Sequence, residues 1–178
     1  MNHPHKPTTI ADAPLLTEAA TLLFESLVAG AEVFEFGSGG STLWLAQRAA
    51  RLMSSEDDTR WHAAVTEALL ERGCPGVIVK LMQPGRIASA SESTGEWDVV
   101  FVDCFVNADR RRAVRKGAQH VKPGGWLVAD DYDFPKVRQS VEELRAAGWD
   151  VAVVAGVKMH PNRHVPVTTS TAFCRRIN

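Results

Sequence analysis

Cysteine is scarce in this sequence, and its three cysteines (Cys74, Cys104 and Cys174) form no C-x-x-C pair. Thiols this few and this widely separated argue against disulfides and indicate reduced side chains in a cytoplasmic protein. The sequence also lacks an apolar run long enough to span a bilayer, and its first seven residues lack the apolar segment of a secretory signal. We therefore expect a cytoplasmic protein with no membrane partner.

An excess of charge of either sign is absent as well. The formal net charge is −1 at pH 7, with 20 basic and 21 acidic residues, so the composition gives no reason to expect a nucleic-acid partner. With 178 residues and 45% hydrophobic content, the chain fits one domain with a substantial core. We expect a single domain over residues 1–178, in which residues 1–11 are flexible.

Patterns of buried strands and amphipathic helices alternate along the chain. The segment 97–103 is almost wholly apolar, as expected of a parallel strand that is buried on both faces. Such alternation predicts a doubly wound α/β fold with right-handed crossovers. The predicted strands are 33–36, 51–55, 77–81, 97–103, 126–129, 150–154 and 168–175, and the predicted helices are 12–29, 41–50, 59–72, 109–116 and 134–147.

The stretch V-F-E-F-G-S-G-G-S-T-L, residues 33–43, predicts a strand, a glycine turn and a helix that begins at Ser41 or Thr42. Glycines let a ligand approach the backbone, and the free N–H groups of a first helical turn favour a carboxylate or phosphate. The dinucleotide fingerprint would need Gly or Ala at position 42, and a P-loop would need a lysine, and neither is present. A glycine turn that merely joins strand to helix is the plain alternative.

Glu56 follows the second predicted strand, where a carboxylate can accept hydrogen bonds from both hydroxyls of a ribose. NAD enzymes share this feature, so it indicates an adenosine ligand and does not single out a methyl donor. Asp58 suits the N-cap of the helix that follows.

Three segments carry a family resemblance. E-F-G-S-G-G-S-T-L-W-L-A, residues 35–46, resembles motif I of the class I S-adenosylmethionine-dependent methyltransferases. E-D-D-T-R-W, residues 56–61, and K-P-G-G-W-L-V-A-D-D, residues 122–131, are similar to later segments of the same family. The resemblance implies a Rossmann-like sheet of seven strands in the order 3-2-1-4-5-7-6, with the last strand antiparallel and the final hairpin over the active site.

The resemblance also implies that S-adenosylmethionine is the cofactor. Residues 37–39 would cradle its methionine portion, Glu56 would bind the ribose, and Asp103 would lie near the methionine amine. Glu35 would orient the loop, and Trp61 would either flank the cofactor or pack on the sheet edge. The cofactor-binding candidates are Glu35, Phe36, Gly37, Ser38, Gly39, Ser41, Thr42, Glu56, Asp57, Trp61, Met82 and Asp103.

Asp103, Asp130 and Asp131 follow the fourth and fifth strands, and they resemble the carboxylates that hold Mg²⁺ in catechol-type O-methyltransferases. Oxygen ligands suit such a hard cation, which would orient and acidify a bound hydroxyl. The alternative is that Asp130 and Asp131 cap the next helix. That family also has a lysine base three residues after the first aspartate, where this chain has Val106.

Without that lysine, the catalytic candidates are Asp103, Asp130 and two histidines of the final hairpin, His160 and His164. A histidine can act as a base near neutral pH. Arg163 and Lys158 lie in the same hairpin. The basic helix after Asp103 is expected to present its arginines, Arg110 among them, to solvent, although the first of them lie near the mouth of the site.

Together these features predict methyl transfer from S-adenosylmethionine to an oxygen or nitrogen of a small molecule. A module that binds S-adenosylmethionine without catalysis is the first alternative, and an NAD-dependent oxidoreductase is the second. The chain has no inserted lid from which an acceptor could be inferred, and its small size is compatible with a surface completed by homodimerisation.

Overall fold

The computed structural model describes residues 10–93, 95–105, 107–159 and 165–177. These residues form one seven-stranded sheet with five α-helices and two short 3₁₀ segments, Ile87–Ser93 and Ala118–His120. The strands are β1 Glu32–Phe36, β2 Arg51–Glu56, β3 Ile78–Leu81, β4 Trp97–Val102, β5 Val121–Ala129, β6 Asp150–Met159 and β7 Pro166–Arg175, and the helices are α1 Glu18–Val28, α2 Gly40–Leu45, α3 Thr59–Glu71, α4 Asn107–Gly117 and α5 Pro135–Ala146.

The strand order is β3-β2-β1-β4-β5-β7-β6. Pairing is parallel from β3 through β5, and β7 runs antiparallel to both β5 and β6. The predicted fold and the predicted antiparallel last strand are therefore confirmed. Because β1, β2, β4 and β5 are parallel, the loops that follow them meet along one side of the sheet, here called the carboxyl edge.

The central strands are buried on both faces. Phe34 and Phe36 of β1 pack in one core cluster with Val100 and Val102 of β4. Residues of the opposite parity point to the other face, where Phe101 contacts Phe24 of α1 with ring centroids 4.7 Å apart. Successive residues of β4 point to opposite faces of the sheet, and both faces are buried. The apolar run of β4 therefore shows no alternation with polar residues in the sequence.

Two predicted helix boundaries are wrong. Helix α1 begins at Glu18 rather than at Asp12, because the Thr17 hydroxyl caps it by accepting from the Ala20 amide. Residues 10–17 instead form a non-helical segment, here called the N-terminal strap. Helix α2 ends at Leu45 rather than near residue 50, since the following residues turn back and bond to residues 30 and 31.

The N-terminal strap is packed against the domain, and this packing includes residues 10 and 11. Ile10 contacts the small cluster around Leu43 and Leu69, and the carbonyl oxygens of Ala11 and Ala13 lie against Gly40. A Cβ at Gly40 would collide with those carbonyls, so the glycine permits the close approach. Residues 1–9 lie outside the described residues.

The last hairpin is longer than predicted. Strands β6 and β7 pair continuously from Asp150 with Arg175 to Met159 with Pro166, so most of the expected loop is strand. Gly156 and Lys158 are residue types that are common in loops, but both lie within the continuous pairing of β6 with β7. Lys158 is therefore held on a strand at the carboxyl edge. Within the described ranges, no helix is long and apolar enough to cross a membrane.

Glu35 fixes the start of the glycine loop from within the core. Its side chain has no solvent exposure and accepts hydrogen bonds from the hydroxyls of Ser41 (2.5 Å), Thr42 (2.6 Å) and Ser54 (2.7 Å). Thr42 also accepts from the Gly39 amide at 2.8 Å. One buried carboxyl thus connects β1, β2, α2 and the loop. Burial raises the pKa of Glu35 to about 7, against the effect of the three hydroxyl donors.

This pKa predicts a pH-dependent stability. Between its unfolded value near 4.5 and about 7, the folded protein holds a proton on Glu35 that the unfolded chain releases, so the contribution of Glu35 to stability falls as pH rises. Over this range the free energy of unfolding should fall by about 3 kcal/mol relative to that of Glu35→Gln, which has no such proton. Urea denaturation from pH 4.5 to 8 measures the difference, with Glu71→Gln on the surface of α3 as the control. A difference that is constant over this range would contradict the assignment.

Gly37 allows β1 and β4 to approach each other where both end. Its φ is +93°, and a Cβ there would lie 2.7 Å from the Cys104 Cα and 2.8 Å from the Asp103 carbonyl oxygen. Gly30 has φ +72°, but a Cβ added to it would meet nothing within 4 Å, so it is a matched control.

Both Gly37→Ala and Gly30→Ala should cost about 1–2 kcal/mol of backbone strain. Gly37→Ala should lose roughly 1–3 kcal/mol more, because its Cβ meets backbone that cannot move aside easily. Chemical denaturation of the two variants gives the comparison. Equal losses of stability would show that the approach of β4 to Gly37 is not a constraint.

Candidate active site

The glycine loop between β1 and α2 is braced by Trp61 of α3. The Trp61 indole Nε1 donates to the Ser38 carbonyl at 2.5 Å, and its ring lies against Gly39. The sequence analysis expected the Trp61 ring either to flank the cofactor or to pack on the sheet edge. In the structure the ring lies on the glycine loop. Asp58 caps α3 by accepting from the amides of Arg60 and Trp61, as predicted.

Glu56 at the end of β2 lies beside this loop. One carboxylate oxygen accepts from the amide (3.1 Å) and hydroxyl (3.0 Å) of Ser38, and the other accepts from the amides of Asp57 (2.8 Å) and Asp58 (2.9 Å). Burial raises the pKa of Glu56, against these bonds. A ribose hydroxyl that binds Glu56 would have to share or displace one of the four donors, and the Ser38 hydroxyl is the one that can rotate away.

Several other predicted cofactor-binding side chains are occupied inside the protein. Phe36 is fully buried, and the hydroxyls of Ser41 and Thr42 are directed at Glu35. Asp57 accepts from the Gly85 amide at 3.1 Å, and the Met82 amide donates to the Glu56 carbonyl at 2.7 Å. These contacts place Asp57 and the half-buried Met82 at the β3 side of the loop, where they limit the site laterally.

Asp103, Asp130 and Asp131 meet on the other side of the loop. Each offers a carboxylate oxygen within 4.8 Å of the others. The Asp103 amide donates to the Phe36 carbonyl at 3.0 Å and the Asp130 amide to the Val102 carbonyl at 3.1 Å, so the strand ends fix both residues. Asp131 has φ +54°, the left-handed conformation that aspartate tolerates better than most residues.

The aspartates do not cap α5. Phe134 is the N-cap residue of that helix and makes no side-chain cap, while Asp131 contributes only its carbonyl, to the Phe134 amide. The carboxylates of Asp130 and Asp131 point to the cluster instead, where they accept from the hydroxyls of Thr171 (2.8 Å) and Thr169 (3.4 Å). Asp133 binds Ser170 of β7.

Two cations that the sequence did not assign to the site complete the cluster. Arg110 is buried and donates to Asp103 at 2.7 Å, to Asp131 at 2.5 Å and, through Nε, to the Cys104 carbonyl. Lys158 donates to Asp130 at 3.0 Å and lies 3.8 Å from Asp131. The expectation that Arg110 belongs to a solvated helix face is therefore wrong, because the first turn of α4 directs its guanidinium back over the ends of β4 and β5.

Lys158 also connects the cluster to the N-terminal strap. Its ammonium donates to the Leu15 carbonyl at 2.5 Å while it holds Asp130. Burial raises the pKa of Asp103 and of Asp130, against the attraction of Arg110 for the first and of Lys158 for the second. The cluster is thus an enclosed group of three acids and two cations.

The hairpin histidines predicted as bases, His160 and His164, lie outside the described residues, as do Arg163 and Val106. Arg110 was hard to find because Arg111 and Arg112 stand beside it in the sequence. Arg110 follows Asp103 by seven residues in the sequence, which puts it in the first turn of the next helix. This spacing is the signal that separates Arg110 from Arg111 and Arg112.

At the level of sequence, neither a protein-family model nor a curated protein matches this chain. Solved structures do resemble it in fold. An S-adenosylmethionine-dependent O-methyltransferase from Thermotoga maritima gives a TM-score of 0.69 at 17% identity, over 93% of this chain and 67% of that one. A precorrin-6y C5,15-methyltransferase from Geobacter metallireducens gives 0.70 at 15% identity, over 94% of each chain.

A third similar structure, an rRNA methylase from Streptococcus thermophilus, gives a TM-score of 0.64 at 11% identity, over 93% of this chain and all of that one. The three proteins differ in what their names say they methylate, and they share the sheet. Together with the strand order and the glycine loop, the comparisons lead to one conclusion: the chain has the Rossmann-like fold of the class I S-adenosylmethionine-dependent methyltransferases.

Proposed function

We propose that this protein binds S-adenosylmethionine at the carboxyl edge and transfers its methyl group to an oxygen or nitrogen of a small molecule. The observation that carries the proposal is the placement of two carboxylates on opposite sides of one glycine loop. Glu56 bonds to Ser38 within the loop, and Asp103 follows β4 where Gly37 meets its backbone. An extended ligand with a ribose at one end and an amine at the other fits that arrangement.

The charge of the aspartate cluster supports an amine at the Asp103 end. With all three carboxylates ionised, the described residues of the cluster keep one negative charge against Arg110 and Lys158. Asp103 gives one oxygen to Arg110, and no donor among the described residues reaches its other oxygen. The methionine ammonium would supply the missing positive charge, which an enclosed carboxylate requires.

When bound, the cofactor supplies an electrophilic methyl group whose transfer leaves a neutral thioether. Residues 37–40 would position the methionine portion through the backbone, with Glu35 and Trp61 holding that backbone in place. An acceptor oxygen or nitrogen that took this methyl group would have to lose a proton. Asp130 lies at the same edge and is a candidate acceptor of this proton, and His160 and His164 remain predicted bases.

The small-molecule acceptor is part of the proposal and rests on the balanced charge of the chain. An rRNA methylase has a similar fold, so the fold itself does not separate RNA from a small molecule. Homodimerisation and a single-domain organisation stay predictions. Mg²⁺ as a further cofactor is treated below, because the ion pairs of Arg110 and Lys158 bear on it.

A second candidate is a module that binds S-adenosylmethionine without turnover. The observation that favours it is the extent of pairing in the cluster, where Asp130 and Asp131 are engaged by lysine, arginine and threonine side chains. An NAD-dependent oxidoreductase is less well supported, since the antiparallel β7 interrupts the all-parallel dinucleotide-binding arrangement.

Two ligands that share adenosine test the site. S-adenosylhomocysteine has the amino-acid portion and methylthioadenosine lacks it. Asp103→Asn should weaken S-adenosylhomocysteine about 10- to 100-fold and leave methylthioadenosine unchanged, because only the first ligand carries the ammonium. Glu56→Gln should weaken both ligands by similar factors, because both carry the ribose. Isothermal titration measures all four affinities, and NAD serves as the competing cofactor.

Asp98→Asn is the matched control, since Asp98 also lies on β4 and is paired with a lysine, Lys122, away from the carboxyl edge. Its affinities should equal those of the parent. Equal weakening of both ligands by Asp103→Asn would show that Asp103 acts through the fold. Binding of NAD and of neither sulfur ligand by the parent would remove the methyl donor from the proposal.

Turnover separates the two candidates. Release of S-adenosylhomocysteine from S-adenosylmethionine is measured with phenols, aliphatic alcohols and amines, and with an RNA transcript for comparison. We expect release with one small-molecule class and none with RNA. Release with RNA alone would contradict the small-molecule acceptor, and tight cofactor binding without release would favour the binding module.

A further inference from the structure

The aspartate cluster offers the oxygen ligands of a divalent-cation site, but the cluster is already bound to cations. Of its six carboxylate oxygens, both of Asp130, both of Asp131 and one of Asp103 have a donor among the described residues. Mg²⁺ needs oxygen ligands at about 2.0–2.1 Å in near-octahedral geometry. To bind it, the aspartates would have to leave Arg110 and Lys158 and accept an ion beside both positive charges.

The guanidinium of Arg110 is fixed, which makes it hard to displace. Its side chain is only 9% exposed, and its three nitrogens are directed at Asp103, Asp131 and the Cys104 carbonyl. A planar guanidinium holds two carboxylates in a defined geometry that a flexible ammonium does not provide. Asp131, which accepts from the Arg110 Nη1, has a left-handed backbone conformation.

We propose that Arg110 and Lys158 take the place of a divalent cation in this cluster, so that the site works without a metal. Arg110 joins the end of β4 to the end of β5, which is the bridging function an ion would have between Asp103 and Asp131. Lys158 neutralises Asp130 from β6. The Mg²⁺ ligand set predicted from the resemblance, Asp103, Asp130 and Asp131, does not fit a metal in this chain.

The proposal limits the acceptor chemistry, and this step rests on the proposed function. Without a Lewis acid, a weakly acidic hydroxyl would gain no metal-induced fall in pKa. The acceptor would then be a group that is nucleophilic once one proton is removed by a side chain, such as an amine or an acidic phenol. Chelator should leave the rate with such an acceptor unchanged.

Manganese binding tests the proposal without reference to activity. The parent, stripped with EDTA, is titrated with Mn²⁺ while the free ion is followed by electron paramagnetic resonance. We expect no saturable site in the parent. Arg110→Ala releases an oxygen of Asp103 and one of Asp131 and removes a positive charge, so it should gain one saturable Mn²⁺ site that the parent lacks.

Arg115→Ala is the control, because Arg115 lies on the same helix in an exposed pair with Glu143. It should behave as the parent. One Mn²⁺ bound by the parent and lost in Asp130→Asn would overturn the proposal, and this result does not depend on whether Arg110→Ala folds. An Arg110→Ala variant that folds and gains no Mn²⁺ site would also overturn it. The affinity of the parent for S-adenosylhomocysteine, measured with and without EDTA, decides the cofactor question separately.

Discussion

The enclosure of five carboxylates along one edge of the sheet is the constraint on which the rest of the site depends. An ionised carboxyl that leaves water must recover its lost hydration from the protein or accept a proton. Glu35 does so with three hydroxyls, Glu56 with three backbone amides and a hydroxyl, and the aspartate cluster with two cations. These three sets of partners differ in how readily a ligand could replace one of their members.

These differences divide the edge by function. The hydroxyls around Glu35 are buried in the core, so Glu35 can only hold the glycine loop in place. Glu56 is also enclosed, but the Ser38 hydroxyl that it binds belongs to the loop itself and can rotate. The cluster keeps one Asp103 carboxylate oxygen without a donor among the described residues, so it is the part of the edge where we propose a positively charged ligand.

The sequence was sufficient for the alternation of strands and helices and for the position of the glycine loop, because buried strands, glycines and helix caps leave local signatures. The position of the antiparallel last strand came from the family resemblance. Asp58 capped α3 as its position predicted. The ion-pair partners of the aspartate cluster, which come from distant parts of the chain, left no such signature in the sequence. Lys158 lies 28 residues from Asp130 and stood in a segment that resembled a loop, and Arg110 was one of three consecutive arginines. The start of α1 was missed because Thr17 competes with Asp12 as a cap, and only the contact of residues 11 and 13 with Gly40 decides between them.

Beside the side-chain contacts of Ile10, Asp12 and Leu16, three carbonyl groups of the N-terminal strap contact the rest of the domain. The carbonyls of Ala11 and Ala13 lie on Gly40, and the carbonyl of Leu15 binds Lys158. Every residue type provides a carbonyl, so side chains 11, 13 and 15 are free to drift during evolution while the path of the strap is kept. Purifying selection should fall instead on the two residues that these carbonyls contact. They are Gly40, which leaves room for the strap, and Lys158, which also neutralises Asp130.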